Sequence, residues 1–441
     1  MKLWDKGQPL DAAIEAFTVG RDRELDLELA RYDVQGSIAH ARMLGQVGLL
    51  TAAESDALVA GLRDIAAEVD AGTFAIPPGT EDVHSRVEAL LTERLGAVGK
   101  KLHAGRSRND QVLVDLRLFY RARLDGLAAA TGALVMGLLE RAEREKGTYW
   151  PGFTHTQVAM VSSAGLWLAG YAETLVDDLR LLAAARAIAD QNPLGTAAGF
   201  GSSFPLDRHE TTRRLGFSGL MVNAVGAHLS RGKTELQCAY ALAGLAHTLG
   251  RLANDVVWYC NQNLGLVRLP PEATTGSSIM PHKRNPDVFE LLRARANRLA
   301  VLPHGIQSLT ANLLAGYHRD YQLLKEELFA GFDEAHALLA MLVRLLPDVT
   351  FVAADLTEER YRYLFTVEEV NRRVVAGEPF RDAYRAVGRQ VDEGTFADLG
   401  WGVGKLGHTH AGSLGNLRND LVAAKLEAVL GGFREPVLDL T

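Results

Sequence analysis

Cysteine is nearly absent from the sequence: Cys238 and Cys260 are the only two, and neither belongs to a pair motif. A disulfide scaffold and a thiolate zinc site are thereby excluded, and a reducing cytoplasm is the expected compartment. A basic surplus is also lacking. Lys and Arg number 47 against 54 Asp and Glu, a formal net charge of -7. General nucleic-acid binding needs a basic surface, so nucleic acid is not an expected partner. No apolar signal core followed by small residues opens the N-terminal MKLWDKGQPLDAAIEAF. Residues 149–172 carry no formal charge, yet Pro151, Gly152, His155, Gln157 and Ser163 make them too polar for a lipid-facing span. No membrane association is expected, and this stretch reads as the approach to, and start of, a buried helix. Proline is missing between Pro78 and Pro151, Pro205 and Pro270, and Pro303 and Pro347. Proline breaks helix interiors, so these gaps leave room for long helices.

No glycine pattern matches a dinucleotide fold, and five residues rather than four separate Gly232-Lys233-Thr234 from Gly226, with no strand before it. His408 and His410 share a loop without a carboxylate or thiolate at ligand spacing. Neither a cofactor nor a metal is expected.

What is present is an ordinary globular composition, 47% hydrophobic and 23% charged over 441 residues. Such a length exceeds one typical core, so two or three domains are expected. Leu113, Leu116, Tyr120, Leu124, Leu127, Leu134 and Leu138 keep a three/four spacing, and Leu242, Leu245, Leu249, Leu252, Val256 and Tyr259 repeat it. Stripes this long mark bundle helices, and no comparable strict alternation exists, so strands should be few and short. The fold class is therefore all-α. Val112 and Phe119 lie off the first stripe, so that helix needs enclosure on more than one side, which other subunits can supply. Boundaries fall at a helical N-terminal region (1–105, with helices near 23–47 and 51–70), a long-helix region (106–352) and a small C-terminal region (353–441). The last contains the glycine-rich GWGVGKLGHTHAGSLGN.

Four polar clusters interrupt the apolar pattern. GSSIMPHKRNPD, residues 276–287, combines a mobile glycine-serine loop with Ser277, Lys283 and Asn285. Backbone N–H groups there can converge on an oxyanion, an ammonium can stabilise a serine alkoxide, and Asn285 can donate to a carboxylate. A capped loop ahead of a helix starting near Pro286 would look the same. KKLHAGRSRNDQ, residues 100–111, puts Arg106, Ser107, Arg108 and Asn109 at the start of the long helix, as suits a carboxylate site or a solvated basic turn. PGFTHTQ, residues 151–157, sets His155 beside Thr154, as an acid or base near neutral pH or as a hydrogen-bonded core histidine. In GYHRDYQLLKEE, residues 316–327, Tyr317, Arg319, Gln322 and Lys325 lie at helical spacing, on a site or on an exposed face.

Taken together, HAGRSRNDQVLVDLRL, GFTHTQVAM and TGSSIMPHKRNPD resemble, in order and spacing, the three motif regions of the fumarase/aspartase superfamily. With KLWDKG and YDVQGSIAHARMLGQVGLL upstream, the chain is specifically similar to the argininosuccinate lyase family, the likeness fading after about residue 355. The resemblance implies a cofactor-free homotetramer with a shared central helical bundle. Each active site would draw on three subunits and split argininosuccinate into arginine and fumarate. It implies Ser277 as general base, Lys283 and Asn285 as stabilisers of the carbanionic intermediate, and His155 with Thr154 at the site. Ser107, Arg108, Asn109, Tyr317, Gln322 and Lys325 match substrate-holding positions, and Asp82 and His84 a loop near the site. The chain departs from the common pattern at Ala104, Val161, His282 and Arg284, the His-Lys-Arg form being more familiar from adenylosuccinate lyases. SRGKTE, residues 230–235, replaces a serine-arginine-aspartate segment, and an early carboxylate-binding serine has no counterpart near FTVGRD, residues 17–22. A sister lyase acting on adenylosuccinate and a crystallin-like structural protein are the alternatives; GRSRND argues against the first, the retained Ser277, Lys283, Asn285 and His155 against the second.

Overall fold

A computed structural model describes residues 11–397, 402–433, 438, 439 and 441. The KLWDKG start, and Gly400 and Trp401 of the glycine-rich stretch, lie outside the described residues.

The N-terminal part runs through α1 (Ala12–Val19), α2 (Asp22–Gln46), α3 (Ala52–Asp70) and α4 (Val83–Leu95). The 37-residue α5 (Arg108–Arg144) then leads to a hairpin, β1 (Tyr149–Thr154) and β2 (Gln157–Ser163), and to α6 (Ala164–Ala189). Short elements follow: β3 (Gln191–Asn192), α7 (Arg208–Arg214), β4 (Gly219–Leu220) and α8 (Ala224–Leu229). The chain continues through α9 (Lys233–Tyr259), β5 (Val267–Arg268), α10 (Asp287–Leu299), α11 (Leu302–Leu309), α12 (Leu324–Leu345) and β6 (Thr350–Phe351). It closes with α13 (Thr366–Val375), α14 (Phe380–Asp392) and α15 (Asn419–Leu430). Among the described residues the strands pair only as two-stranded ribbons, β3–β4 parallel and the other two antiparallel. The protein is all-α in class.

Both apolar stripes form as read. At 1.5 Å per residue α5 is about 56 Å long, and its Leu116, Tyr120, Leu124, Leu127, Leu134 and Leu138 are buried in one cluster with α6, α9 and α12. Its other face is not idle. Arg117 donates to the Ile188 carbonyl at 2.7 Å and to Ser230 Oγ at 2.8 Å, and Arg121 meets Asp190 at 3.0 Å. Buried donors need partners, and here they tie the 188–234 segment to the bundle. By length and composition α5 could cross a membrane. Its packing on α2, α6, α12 and α15, with these paired arginines, is that of a core helix.

α2 joins two cores. Leu25 and Leu29 belong to the central cluster, while Ala30, Val34, Ile38 and Ala41 pack with α3 and α4. Thr51 and Glu54 cap α3 reciprocally, which explains its sharp start. Two further small clusters, around Tyr361 and Phe365 and around Val370 and Val387, organise the C-terminal part, whereas α15 returns Val422 and Leu426 to the central core.

The uncharged stretch is, as read, the approach to and start of a buried helix, which begins at Ala164, but the approach takes a form the sequence did not announce. Residues 149–163 are a hairpin. The turn residues His155 and Thr156 have φ of 53° and 63°, the mirror-image turn that matches strand twist. Neither is the glycine that usually announces such a turn, and a register shift between Pro151 and Phe153 blurs the alternation.

At the join between hairpin and bundle, Gly165 lets α6 press on the end of α5. A Cβ there would lie 2.5 Å from the Ala142 carbonyl oxygen and 2.7 Å from Lys146 Cα, backbone atoms with little room to yield. Gly165→Ala should therefore lower stability by about 1–3 kcal/mol, read as a reduced thermal midpoint; an unchanged midpoint would show that the helices separate freely.

Candidate active site

Where α2, α4, α5 and α12 converge there is a polar pocket of about 180 Å³. Asp82, His84, Arg108, Asn109, Tyr317, Gln322 and Lys325 line it, and they come from three separate stretches of sequence. Helix starts do much of the positioning. Asp82 caps α4, accepting from the Ser85 N–H at 2.8 Å. Ser107 caps α5 through the Asn109 N–H at 3.3 Å, and Asp110 answers by accepting from the Ser107 N–H at 2.8 Å. The Ser107 hydroxyl is thus engaged as a cap in this single chain.

A buried ionic contact lies at Lys325, in the first turn of α12. Its ammonium lies 2.5 Å from Asp26 Oδ1 and 2.8 Å from Asp22 Oδ1, both on α2. Burial pulls the Lys325 ammonium toward release of its proton, and the two carboxylates more than restore its hold. Burial also pushes the Asp22 carboxyl up to about 6, against the pull of Lys325. Asp22 and Asp26 carry no motif in the sequence; their i,i+4 spacing at the head of α2 was the only signal. Asp22 ends FTVGRD, the segment in which the expected serine has no counterpart.

Arg108 bridges Glu81 at 3.0 Å and Asp82 at 3.1 Å, and Arg319 reaches Glu81 at 3.3 Å. Gln322 gives its amide hydrogens to the Thr18 and Val19 carbonyls at 3.0 Å, fastening the end of α1 to the pocket rim. Arg231, inside the SRGKTE segment that departs from the family pattern, also lines the pocket and donates to the Tyr321 carbonyl at 3.0 Å. Arg108 Nη2 and Arg231 Nη1 are buried without a hydrogen-bond partner. Only Lys325 of the 317–325 group lies in an α-helix. Arg319–Leu323 is a 3₁₀ turn, so the expected helical spacing holds only in part.

His84 sits at the pocket floor, and its Nδ1 lies 2.7 Å from Asp33 Oδ1 and 3.6 Å from Asp115 Oδ2. Burial works against the imidazolium, but Asp33, Asp115 and Asp82 together raise its proton affinity to about 9. Among the described residues this trio alone clusters its ligand-type atoms within 4.8 Å. Within it the 2.7 Å contact joins the ring to Asp33 as a hydrogen bond. His408, by contrast, pairs with Glu368 at 2.8 Å.

The remaining sequence candidates stand apart from the pocket. Thr154 and His155 are exposed at the hairpin tip, not in the apolar surround expected for the histidine. Ser277, Lys283 and Asn285 share a loop between Ala273 and Asp287. Its neck is closed by paired backbone bonds between Thr275 and Asn285, 2.8 and 3.2 Å. Ser277 Oγ accepts from the Ile279 N–H at 3.3 Å and the Met280 N–H at 3.1 Å. Two converging N–H donors of this kind favour the charged form of an oxygen. The Lys283 side chain is exposed, and no hydrogen bond from it to Ser277 occurs among the described residues. Asn285 Nδ2 donates to the Gly276 carbonyl at 3.4 Å.

Cations and carboxylates of the pocket are largely paired with each other, so removing one should expose its partners. Lys325→Met should cost about 3–5 kcal/mol by stranding buried carboxylates. Adding Asp26→Asn should make the double variant less unstable than the sum of the two singles; strict additivity of thermal midpoints would contradict the clamp.

Comparison with known proteins follows the same outline. Residues 5–300 match a family model described as lyase. An argininosuccinate lyase of Parabacteroides distasonis is 51% identical over 98% of this chain and 96% of its own length. One of Sorangium cellulosum is 41% identical over 97% and 99%. Likeness therefore continues beyond residue 355, where the motifs had faded. Among solved structures, an EDDS lyase in complex with formate superposes with a TM-score of 0.77 at 23% identity, covering 97% of this chain and 92% of that one. A class II fumarase from Schistosoma mansoni gives 0.71 at 17% over 88% and 91%, and such likenesses speak to the fold alone. With half of its residues shared along almost its whole length, the chain belongs to the argininosuccinate lyase family of the fumarase/aspartase superfamily.

Proposed function

We propose that the protein cleaves argininosuccinate to arginine and fumarate. The carrying observation is the pocket with both charge signs and two buried guanidinium nitrogens, Arg108 Nη2 and Arg231 Nη1, without hydrogen-bond partners. Donors left open in a low-dielectric pocket are costly unless an anion meets them, and carboxylates of the substrate are suited to that role. The carboxylates of Asp22 and Asp26 complement the cationic end of the same molecule.

Ser277 is the general base in this reading. Its alkoxide, held by the Ile279 and Met280 N–H groups, takes the proton from the succinyl carbon next to a carboxylate. Negative charge passes into that carboxylate, where Lys283 and Asn285 stabilise it. Collapse forms the carbon–carbon double bond of fumarate and breaks the carbon–nitrogen bond. The departing guanidine nitrogen takes up a proton, with His155 the candidate donor, and Thr154 beside it orders the hairpin tip. Asp82, His84, Ser107, Arg108, Asn109, Tyr317, Gln322 and Lys325 hold the substrate. No step calls on a cofactor or a metal.

The serine loop, the hairpin tip and the pocket are separate in one chain, which supports a homotetramer whose sites collect them from different subunits. Exposed apolar side chains on and between the bundle helices, including Leu181, Leu229, Tyr240, Leu291 and Val301, are the kind of surface such an assembly buries. Two free thiols fit the reducing cytoplasm.

Purified protein offered argininosuccinate and adenylosuccinate separately should release fumarate, followed by absorbance, only from the first; release from adenylosuccinate alone would overturn the assignment. Ser277→Ala should lose on the order of 10²–10⁴-fold in turnover with assembly intact. Mixing His155→Asn with Ser277→Ala subunits should restore partial activity. Absence of recovery after verified subunit exchange would rule out shared sites.

A further inference from the structure

The buried trio beneath the pocket has an oddity that substrate holding by His84 does not explain. Asp33 and Asp115 are 2% and 1% exposed, and Asp33 Oδ2 and both Asp115 oxygens lack hydrogen-bond partners. Carboxyls buried this deeply and this poorly hydrogen-bonded either face a nearby positive charge or hold a proton. Gly36 makes their approach possible: a Cβ there would meet Val114 Cγ1 at 3.2 Å and Asp115 Oδ1 at 3.6 Å, so its absence lets α2 close on α5.

We propose that Asp33 and Asp115 are positioning residues that keep the His84 ring protonated, so that His84 serves the pocket as a fixed positive donor for a substrate carboxylate. Both carboxylates face Nδ1, at 2.7 and 3.6 Å. That leaves Nε2–H as the ring's remaining donor, on a residue that lines the pocket. Asp33 orients the ring through the short bond. Asp115, whose oxygens accept no hydrogen bond, adds to the ring's hold on its proton from 3.6 Å.

The other charged groups around the ring are accounted for. Asp26 and Asp33 approach from α2, Asp82 from the cap of α4, and Arg108 and Asp115 from α5. Arg106, half-buried and bonded to Ser37 Oγ at 2.9 Å, lies on the carboxylate side, with His103 beyond it. Arg106 and the imidazolium are the positive charges that face Asp115 against the pull of burial. Burial and the Asp33 charge push the Asp115 carboxyl well up, and the pull of His84 and Arg106 only partly offsets them. Here the folded-state affinity of the histidine exceeds its ordinary value of about 6.5. Its contribution is therefore complete below that value and is lost as pH rises through about 9.

The inference rests on the proposed lyase activity, and two measurements keep the two apart. In the parent protein, residue-resolved exchange of the histidine C2 hydrogen, read by mass spectrometry across pH, reports the protonation of His84 without any turnover. Its inflection should fall well above 7; an inflection at or below the ordinary histidine value of about 6.5 overturns the proposal, whatever the activity. In Asp115→Asn and Asp33→Asn, the alkaline limb of kcat/KM for argininosuccinate should move down by about 1–3 pH units. Activity should recover toward the parent at about pH 6, where even an ordinary histidine is protonated. Equal loss at every pH would mark a merely structural role. A stoichiometric divalent ion in the parent, lost in Asp115→Asn, would replace the proton with a metal. Failure of the parent to release fumarate would sink the lyase reading and leave the exchange result standing.

Discussion

Burying charge inside a helical bundle is tolerable only when every charge finds its opposite, and this constraint fixes how α2, α4, α5 and α12 meet. The apolar stripes of α5 and α9 bring the bundle together without specifying where one helix stops sliding along another. The ionic contacts do that. Lys325 between Asp22 and Asp26 sets α12 against α2, Arg108 sets α5 against the cap of α4, and His84 ties α4 to α2 and α5. A shift of one residue along any of these helices would strand a buried carboxylate. The pocket is thus a by-product of the same pairing that sets the packing register.

The division between apolar cohesion and ionic register also explains what the sequence made legible. Stripes at three/four spacing are strong signals because each helix repeats them over many turns, so α5 could be read almost to its ends and α9 to its C-terminal end, though its stripe was picked up only from Leu242. Ser107 with Asp110, and Thr51 with Glu54, are local pairings that mark helix starts within a few residues. The polar clusters around Arg108, Ser277 and Lys325 stood out against apolar surroundings, and similarity to a known family gave them order.

What remained illegible is long-range. Nothing local distinguishes Asp33 or Asp115 from a solvated acid, because the partner that explains each lies on another helix. Arg231 and Glu81 enter the pocket by the same tertiary route. The hairpin escaped for a different reason: with a kink near Gly152 and no glycine at its turn, it presents neither clean alternation nor the usual turn pair. One chain also leaves the serine loop and the hairpin histidine away from the pocket, a separation that spacing along the sequence cannot express.

The left-handed backbone at His155 has a consequence for reading substitutions there. Outside glycine, that conformation is best accepted by Asn, Asp and His, whose short polar side chains bond locally. A β-branched or bulky replacement distorts the hairpin tip before any proton is moved. Asparagine keeps the bend while discarding the ionisable ring, so at this position the mildest change in shape is also the sharpest probe of acid–base chemistry.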